Sequence, residues 1–257
     1  MINLKASKWE LNNIQTILFD KDGTFIDLNQ FWGKMTEMRV QEVLNYTNLN
    51  QELFSDLCLS LGYDVLNKKM LKDGITALYS RIKIISIFKS DLEKFGIKIT
   101  ENELEKIFDK VSANFNRNIL EYTKPIDEAI NFIREVRKYG VKTAVVTADS
   151  VETTKLVVKN FGWENLFDVI VGRESSKSTK ESGEPAKIAL KKLGVNSDTT
   201  IMIGDAPTDF MCAKNAGIEK TILVATGQIE KTDLSNFSEY TVQNLSELVI
   251  LQSLDIK

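Results

Sequence analysis

Two carboxylates, Asp20 and Asp22, stand two residues apart in Phe19-Asp20-Lys21-Asp22-Gly23-Thr24, directly after the apolar run 14–18. One acid of such a pair can attack phosphorus or hold a metal while the other handles a proton. Asp-x-Asp-Gly-Thr arises by chance in roughly one chain in several hundred of this length, taking each residue at about one-twentieth usage. The competing reading is an Asp/Gly turn after a strand.

A second acidic cluster, Gly204-Asp205-Ala206-Pro207-Thr208-Asp209, follows the apolar run 201–203 in the same manner. If both clusters lie at one sheet edge, four carboxylates converge, and their repulsion calls for a cation. Oxygen ligands that leave room for phosphate suit Mg²⁺. Asp209 could instead only stabilise the first turn of the helix after it. Thr147 and Ala148 close a third apolar run, Val145-Val146-Thr147-Ala148-Asp149-Ser150. A hydroxyl and backbone N–H groups at a helix N-terminus suit a phosphoryl oxygen, while Asp149 or Ser150 could simply cap that helix. Lys177 and Lys180 lie in the polar stretch 175–183, where a lysine could neutralise a transferring phosphoryl group or merely be solvated.

Histidine is absent from the 257 residues. That excludes Ser-His-Asp and Cys-His catalysis and histidine metal sites. Acid–base work falls to carboxylates, lysines or tyrosines. The two cysteines, Cys58 and Cys212, make no disulfide framework and read as reduced packing residues.

The elements that must position these residues alternate. Short β-type runs at 14–19, 141–147, 168–171, 200–203 and 220–224 are separated or preceded by helical patterns at 126–139, 151–160, 185–193 and 208–216. Gly140, Gly194 and Gly217 fall where helices end. This alternation predicts a Rossmann-like, doubly wound α/β core with a parallel sheet. Ligands of such sheets bind beyond the carboxyl ends of the strands, where all the candidate residues fall. A strand near 240–242 and a terminal helix at 245–251 are expected to finish the sheet edge. The residues 1–13 show no signal-peptide apolar core, and 175–183 reads as the most mobile part of the core.

Between the first and second strands, helical periodicity runs over 30–45, 51–61, 68–88 and 101–120. A block of about 95 residues is too long for a loop. It predicts an inserted all-helical cap at 26–120, with the core formed by 1–25 and 121–257. Net charge is −3 with no basic block, which argues against nucleic acid. No apolar stretch is long enough to span a bilayer. The expected compartment is the cytoplasm; oligomeric state is not legible.

Taken together, these residues resemble the haloacid dehalogenase-like hydrolase superfamily, more narrowly its phosphatase branch with a helical cap, the group of phosphoglycolate phosphatase and β-phosphoglucomutase. Residues 19–24 match the first motif, 145–147 the second, 180–185 loosely the third, and 204–209 with Ala213, Ala216 and Gly217 the fourth. The resemblance implies a Mg²⁺-dependent phosphatase acting on a small phosphomonoester. It makes Asp20 the nucleophile that forms an aspartyl-phosphate and Asp22 the general acid–base, steadied by Thr24. Thr147, Ala148 and Lys180 would bind the phosphoryl oxygens. Asp20, the Asp22 carbonyl and Asp205 would hold Mg²⁺, supported by Asp209. Lys180 is preferred to Lys177 because it lies nearer Pro185, although the usual Lys-Pro is here Lys180-Glu181. Asp149 is expected to cap its helix and point away. The cap would close over the substrate.

A phosphomutase shares every core residue and would differ in cap contacts, for which Lys34, Arg39 and Arg81 are the available cations. A non-catalytic binding protein on the same fold is the rival of another class. Phe31 and Trp32 could shape a leaving-group pocket, though packing between cap helices accounts for them. The sequence does not identify the substrate.

Overall fold

The computed structural model describes residues 1–252. The chain forms two compact units: Met1–Asp27 together with the chain from Pro125 onward, and Leu28–Lys124. The last five residues assigned to the core by sequence, 253–257, lie outside the described residues.

The first unit opens with β1 (Ile2–Lys5), β2 (Glu10–Ile14) and β3 (Thr16–Phe19). In the second unit follow α1 (Leu28–Thr47), α2 (Phe54–Ser60), β4 (Tyr63–Asp64), β5 (Lys69–Met70), α3 (Ile75–Leu78), α4 (Arg81–Lys94), α5 (Glu101–Arg117) and α6 (Ile119–Tyr122). Back in the first unit come α7 (Asp127–Lys138), β6 (Lys142–Val146), α8 (Val151–Asn160), β7 (Val169–Val171), α9 (Glu184–Leu193), β8 (Thr200–Gly204), α10 (Pro207–Asn215), β9 (Lys220–Val224), α11 (Lys231–Leu234), β10 (Thr241–Val242) and β11 (Val249–Gln252).

Six strands form a parallel sheet in the order β10-β9-β8-β3-β6-β7. The chain winds outward from β3 through β6 to β7, then returns to β8 on the other side of β3. The crevice at this reversal is where an open α/β sheet binds ligands. All four residues of β3 are buried, because helices cover both of its faces. On one face Leu18, Ala144 and Met202 pack with Ala186, Ala189, Cys212 and Ala213 from α9 and α10. On the other, Phe19 meets Phe132 of α7 and Phe167 edge-on, each at 6.4 Å. The register then decides the site: Phe19 lies opposite Val145 on β6 and Ile203 on β8. The residues following these three positions emerge together at one sheet edge.

The structure corrects the sequence reading at both ends of the chain. The stretch 1–13, read without secondary structure, holds β1 and all of β2 but its last residue, Ile14, which the sequence reading places in the strand over 14–19. The stretch 245–251, expected as a helix, is a 3₁₀ turn at Leu245–Glu247 followed by β11, which pairs antiparallel with β1. The three make a second sheet in the order β11-β1-β2. Leu245, Leu248 and Leu251 are spaced like a helix face, but β1 would otherwise present a bare edge, and the run Val249-Ile250 suits a strand.

In the second unit the helical region carries one short ribbon, β4 with β5. The helix expected over 68–88 is instead β5, α3 and α4. Asp64 starts the turn by accepting N–H bonds from Leu66 (2.9 Å) and Asn67 (3.0 Å). Gly74 and Gly62 then approach so closely that a Cβ on Gly74 would lie 2.7 Å from the Gly62 carbonyl oxygen. Side chains at that contact would have forced the two segments apart. Phe31 is fully buried and meets Phe115 at 4.9 Å and Trp32 at 5.4 Å, as helix packing requires. Among the described residues no helix is long and apolar enough to cross a membrane.

Candidate active site

Asp20 follows β3 directly, and its N–H donates to the Ile203 carbonyl at 2.9 Å. That bond continues the β3–β8 ladder by one residue and fixes Asp20 beside Gly204 and Asp205. Lys180 Nζ lies 2.5 Å from Asp20 Oδ1 and 2.6 Å from Asp209 Oδ1. Asp209 is also tied to its own helix: its Oδ2 accepts the Ala206 N–H at 3.0 Å. It therefore serves both readings made from sequence, bracing the α10 N-terminus and joining the acidic cluster.

Asp20, Asp205 and Asp209 each offer an oxygen within 4.8 Å of the others, and all three are buried. Asp205 makes no ion pair among the described residues. Burial, then the charges of Asp20 and Asp209, hold its carboxyl well above the ordinary range. Burial likewise lifts Asp209 to about 6, against the pull of Lys180. Lys180 itself is held upward by Asp20 and Asp209, which outweigh the opposing cost of its burial. One lysine against three converging acids leaves negative charge uncompensated, and the donors are all hard oxygens. This set fits a small divalent cation such as Mg²⁺. The Asp22 carboxylate stands outside the set; only its carbonyl was expected there.

Glycines make room for the Asp205 carboxylate. A Cβ on Gly23, which sits at φ +81°, would come within 2.3 Å of Asp205 Oδ2, and one on Gly227 within 1.7 Å. Gly227 drew no notice in the sequence because it belongs to no motif. Beside it Thr226 Oγ1 donates to the Gly23 carbonyl at 2.5 Å, tying the loop after β9 to the turn after β3.

Asp22 is turned the other way, toward Lys21. Lys21 is fully buried, with Nζ 2.8 Å from Asp22 Oδ1 and 2.8 Å from Asp149 Oδ2. Burial raises Asp22 to about 7, with Lys21 pulling down and Asp149 and Asp20 pushing up. A carboxyl poised there can give and take a proton near neutral pH. Asp149 thus departs from expectation: it is turned to Lys21, and Ser150 caps α8 by accepting the Thr153 N–H at 3.0 Å. The expected support of Asp22 by Thr24 is not formed either. The Thr24 hydroxyl is buried with no hydrogen-bond partner among the described residues. Thr24 acts in the turn through its N–H, which donates to the Lys21 carbonyl at 3.3 Å.

Thr147 leaves β6 with its hydroxyl accepting the Asp149 N–H at 3.1 Å. The hydroxyl proton is thereby left to point elsewhere. Ala148 is exposed, and its N–H has no partner among the described residues. Lys177 stays exposed while Lys180 is buried. The stretch 175–183 is less loose than its composition suggests. Gly183, at φ +79°, lets the loop press on α10, where a Cβ would lie 2.5 Å from the Asn215 carbonyl carbon. Asn215 Nδ2 in turn donates to the Glu181 carbonyl at 2.6 Å. The three cap cations named from the sequence have partners in their own unit. Arg39 lies 4.2 Å over the Phe108 ring, Arg81 pairs with Glu105 and Asp109, and Lys34 pairs with Glu37.

Residues 17–224 match the family model described as haloacid dehalogenase-like hydrolase. A phosphoglycolate phosphatase from Aquifex aeolicus is 27% identical over 240 residues, covering 93% of this chain and 96% of that protein. Pyrophosphatase PpaX from Bacillus mycoides is 23% identical over 241 residues, covering 93% and 97%. The crystal structure of a predicted phosphoglycolate phosphatase from Haemophilus somnus 129pt shares the fold at a TM-score of 0.72 and 16% identity, covering 92% and 97%. With the family model spanning most of the chain, both acidic clusters included, the protein belongs to the haloacid dehalogenase-like hydrolases.

Proposed function

We infer that the protein is a Mg²⁺-dependent phosphatase of a small phosphomonoester or of pyrophosphate, working through a phosphorylated Asp20. The observation that carries this reading is the contact of Lys180 with Asp20 inside a buried acid cluster. In this reading it joins the nucleophile and a fixed cation to the oxygens that would hold the metal, beyond the adjacent ends of β3 and β8. The small-substrate reading is supported by the names of relatives, phosphoglycolate phosphatase and pyrophosphatase.

In this reading one Asp20 oxygen attacks phosphorus, and the Asp22 proton passes to the leaving oxygen as the P–O bond breaks. Asp22, now ionised, takes a proton from the water that cleaves the acyl phosphate. One carboxyl serves both halves because it is acid in the first and base in the second. The Thr147 hydroxyl, the Ala148 N–H and the third Lys180 proton donate to the phosphoryl oxygens. A Mg²⁺ held by Asp20, Asp205 and the Asp22 carbonyl, with Asp209 beside them, would supply charge neutralisation at phosphorus.

The test is turnover of p-nitrophenyl phosphate, inorganic pyrophosphate, phosphoglycolate and β-glucose 1-phosphate with and without Mg²⁺, on native protein and Asp20→Asn. Native turnover that requires Mg²⁺ and vanishes in a folded Asp20→Asn is the expected result. Near-normal turnover by that variant removes Asp20 as nucleophile. Isomerisation of the sugar phosphate in place of hydrolysis would make the protein a phosphomutase.

A further inference from the structure

Lys21 is an unusual residue to find at zero exposure. A buried ammonium is tolerated only with partners close by. Here its Nζ is 2.8 Å from a carboxylate on each side, Asp22 and Asp149. The Asp149 side is itself fixed. Its Oδ1 accepts the Ser150 N–H at 2.7 Å, and its N–H donates to Thr147 Oγ1. Its carbonyl accepts the Arg173 N–H at 2.9 Å, at a place where a Cβ on Gly172 would come within 2.7 Å of that carbonyl oxygen. A rigid line therefore runs from the loop after β6 through Asp149 and Lys21 to Asp22 Oδ1. The same loop carries Thr147, so Asp22 is referenced to the segment read as the phosphate cradle.

Resting on the reading of Asp22 as proton carrier, we propose that Lys21 and Asp149 are positioning residues that lock the Asp22 carboxyl by one oxygen and leave the other to meet the leaving group. The proton on Asp22 moves to the leaving oxygen while the Asp20–P bond forms and the P–O bond breaks, and only the placement of that proton depends on Lys21. The rival explanation is that Lys21 merely neutralises two buried acids. The two differ in their dependence on the leaving group. Nitrophenolate departs without a proton, whereas phenolate needs one.

The experiment compares kcat/KM for p-nitrophenyl phosphate and phenyl phosphate in native protein, Lys21→Met, Asp149→Asn and Asp22→Asn. kcat/KM reports steps through formation of the phosphorylated enzyme. The ratio of phenyl to nitrophenyl activity should fall at least about tenfold in Lys21→Met, within the range general acid catalysis contributes, and fall in the same direction in Asp149→Asn. If Lys21→Met does not fold, Asp149→Asn decides. Equal losses on both substrates in the folded variants, with the ratio still shifted in Asp22→Asn, overturn the positioning role alone. An unchanged ratio in Asp22→Asn overturns the reading of Asp22 itself.

Discussion

Asp20 and Lys180 stand 160 residues apart in the chain and meet at 2.5 Å. The contact forms because β3 ends where β8 and the turn after β7 converge, and because Gly183 lets the Lys180 turn lie against α10.

Lys180→Met should lower kcat by about 10²-fold or more, since it removes a fixed donor at the developing phosphoryl charge. Without metal it should also cost about 3–5 kcal/mol of stability, because Asp20 and Asp209 lose their buried partner. Lys177→Met should change stability by no more than about 0.5 kcal/mol, as expected for an exposed side chain. Steady-state kinetics and urea unfolding with chelator check both variants. Similar behaviour of the two would refute the assignment of Lys180.

What the sequence discloses follows the range of the interactions. The strands β3, β6 and β8 are legible because burial on both faces turns them into apolar runs, and the residues directly after them are Asp20, Thr147 and Asp205. The choice between Lys177 and Lys180 turned on spacing alone, and only the fold shows one buried and the other exposed. Lys21 carries no role in the sequence reading, where it is only the x of Asp-x-Asp, because Asp149, its second partner, lies far along the chain. Gly227 was unreadable for the same reason: its need for a missing Cβ comes from Asp205, which reaches it through the fold. β1 escapes the sequence reading because four residues give too short an alternation, and β11 because Leu251 continues the helical spacing of Leu245 and Leu248 before it.

Gly227→Ala places a methyl group on Asp205 Oδ2, with 1.7 Å between the ideal positions. The carboxylate must swing away or the loop after β9 must shift. Overpacking of this sort costs about 1–3 kcal/mol. Displacing a ligand by a disturbed support weakens metal affinity by about 10–100-fold. The expected result is a raised Mg²⁺ requirement for activity with kcat at saturating metal reduced less. Mg²⁺ titrations of phosphatase activity check it, and an unchanged Mg²⁺ midpoint would show that Asp205 holds no metal.

The acid cluster also predicts how stability responds to pH and metal. Burial and neighbouring charge raise Asp205 well above its ordinary value, Asp209 to about 6 and Asp22 to about 7. The metal-free folded chain therefore keeps these protons to higher pH than the unfolded chain, whose carboxyls titrate near pH ~4. Where the folded state binds more protons, stability falls as pH rises. This contribution is full below about pH 4 and is lost as pH climbs through the raised values, past about 6 for Asp209 and about 7 for Asp22. Asp205→Asn removes one buried acid that must ionise, so with chelator its Tm should exceed the native Tm, by a margin that widens with rising pH. Saturating Mg²⁺ should reverse the order. It stabilises the native protein by about 2.7 kcal/mol at a hundredfold excess over Kd and finds a weakened site in the variant. Thermal unfolding of both proteins across this pH range, with chelator and with Mg²⁺, measures the margin. If Mg²⁺ raised both Tm values equally, the cation would bind elsewhere, and Asp205 would be a buried acid without a metal to hold.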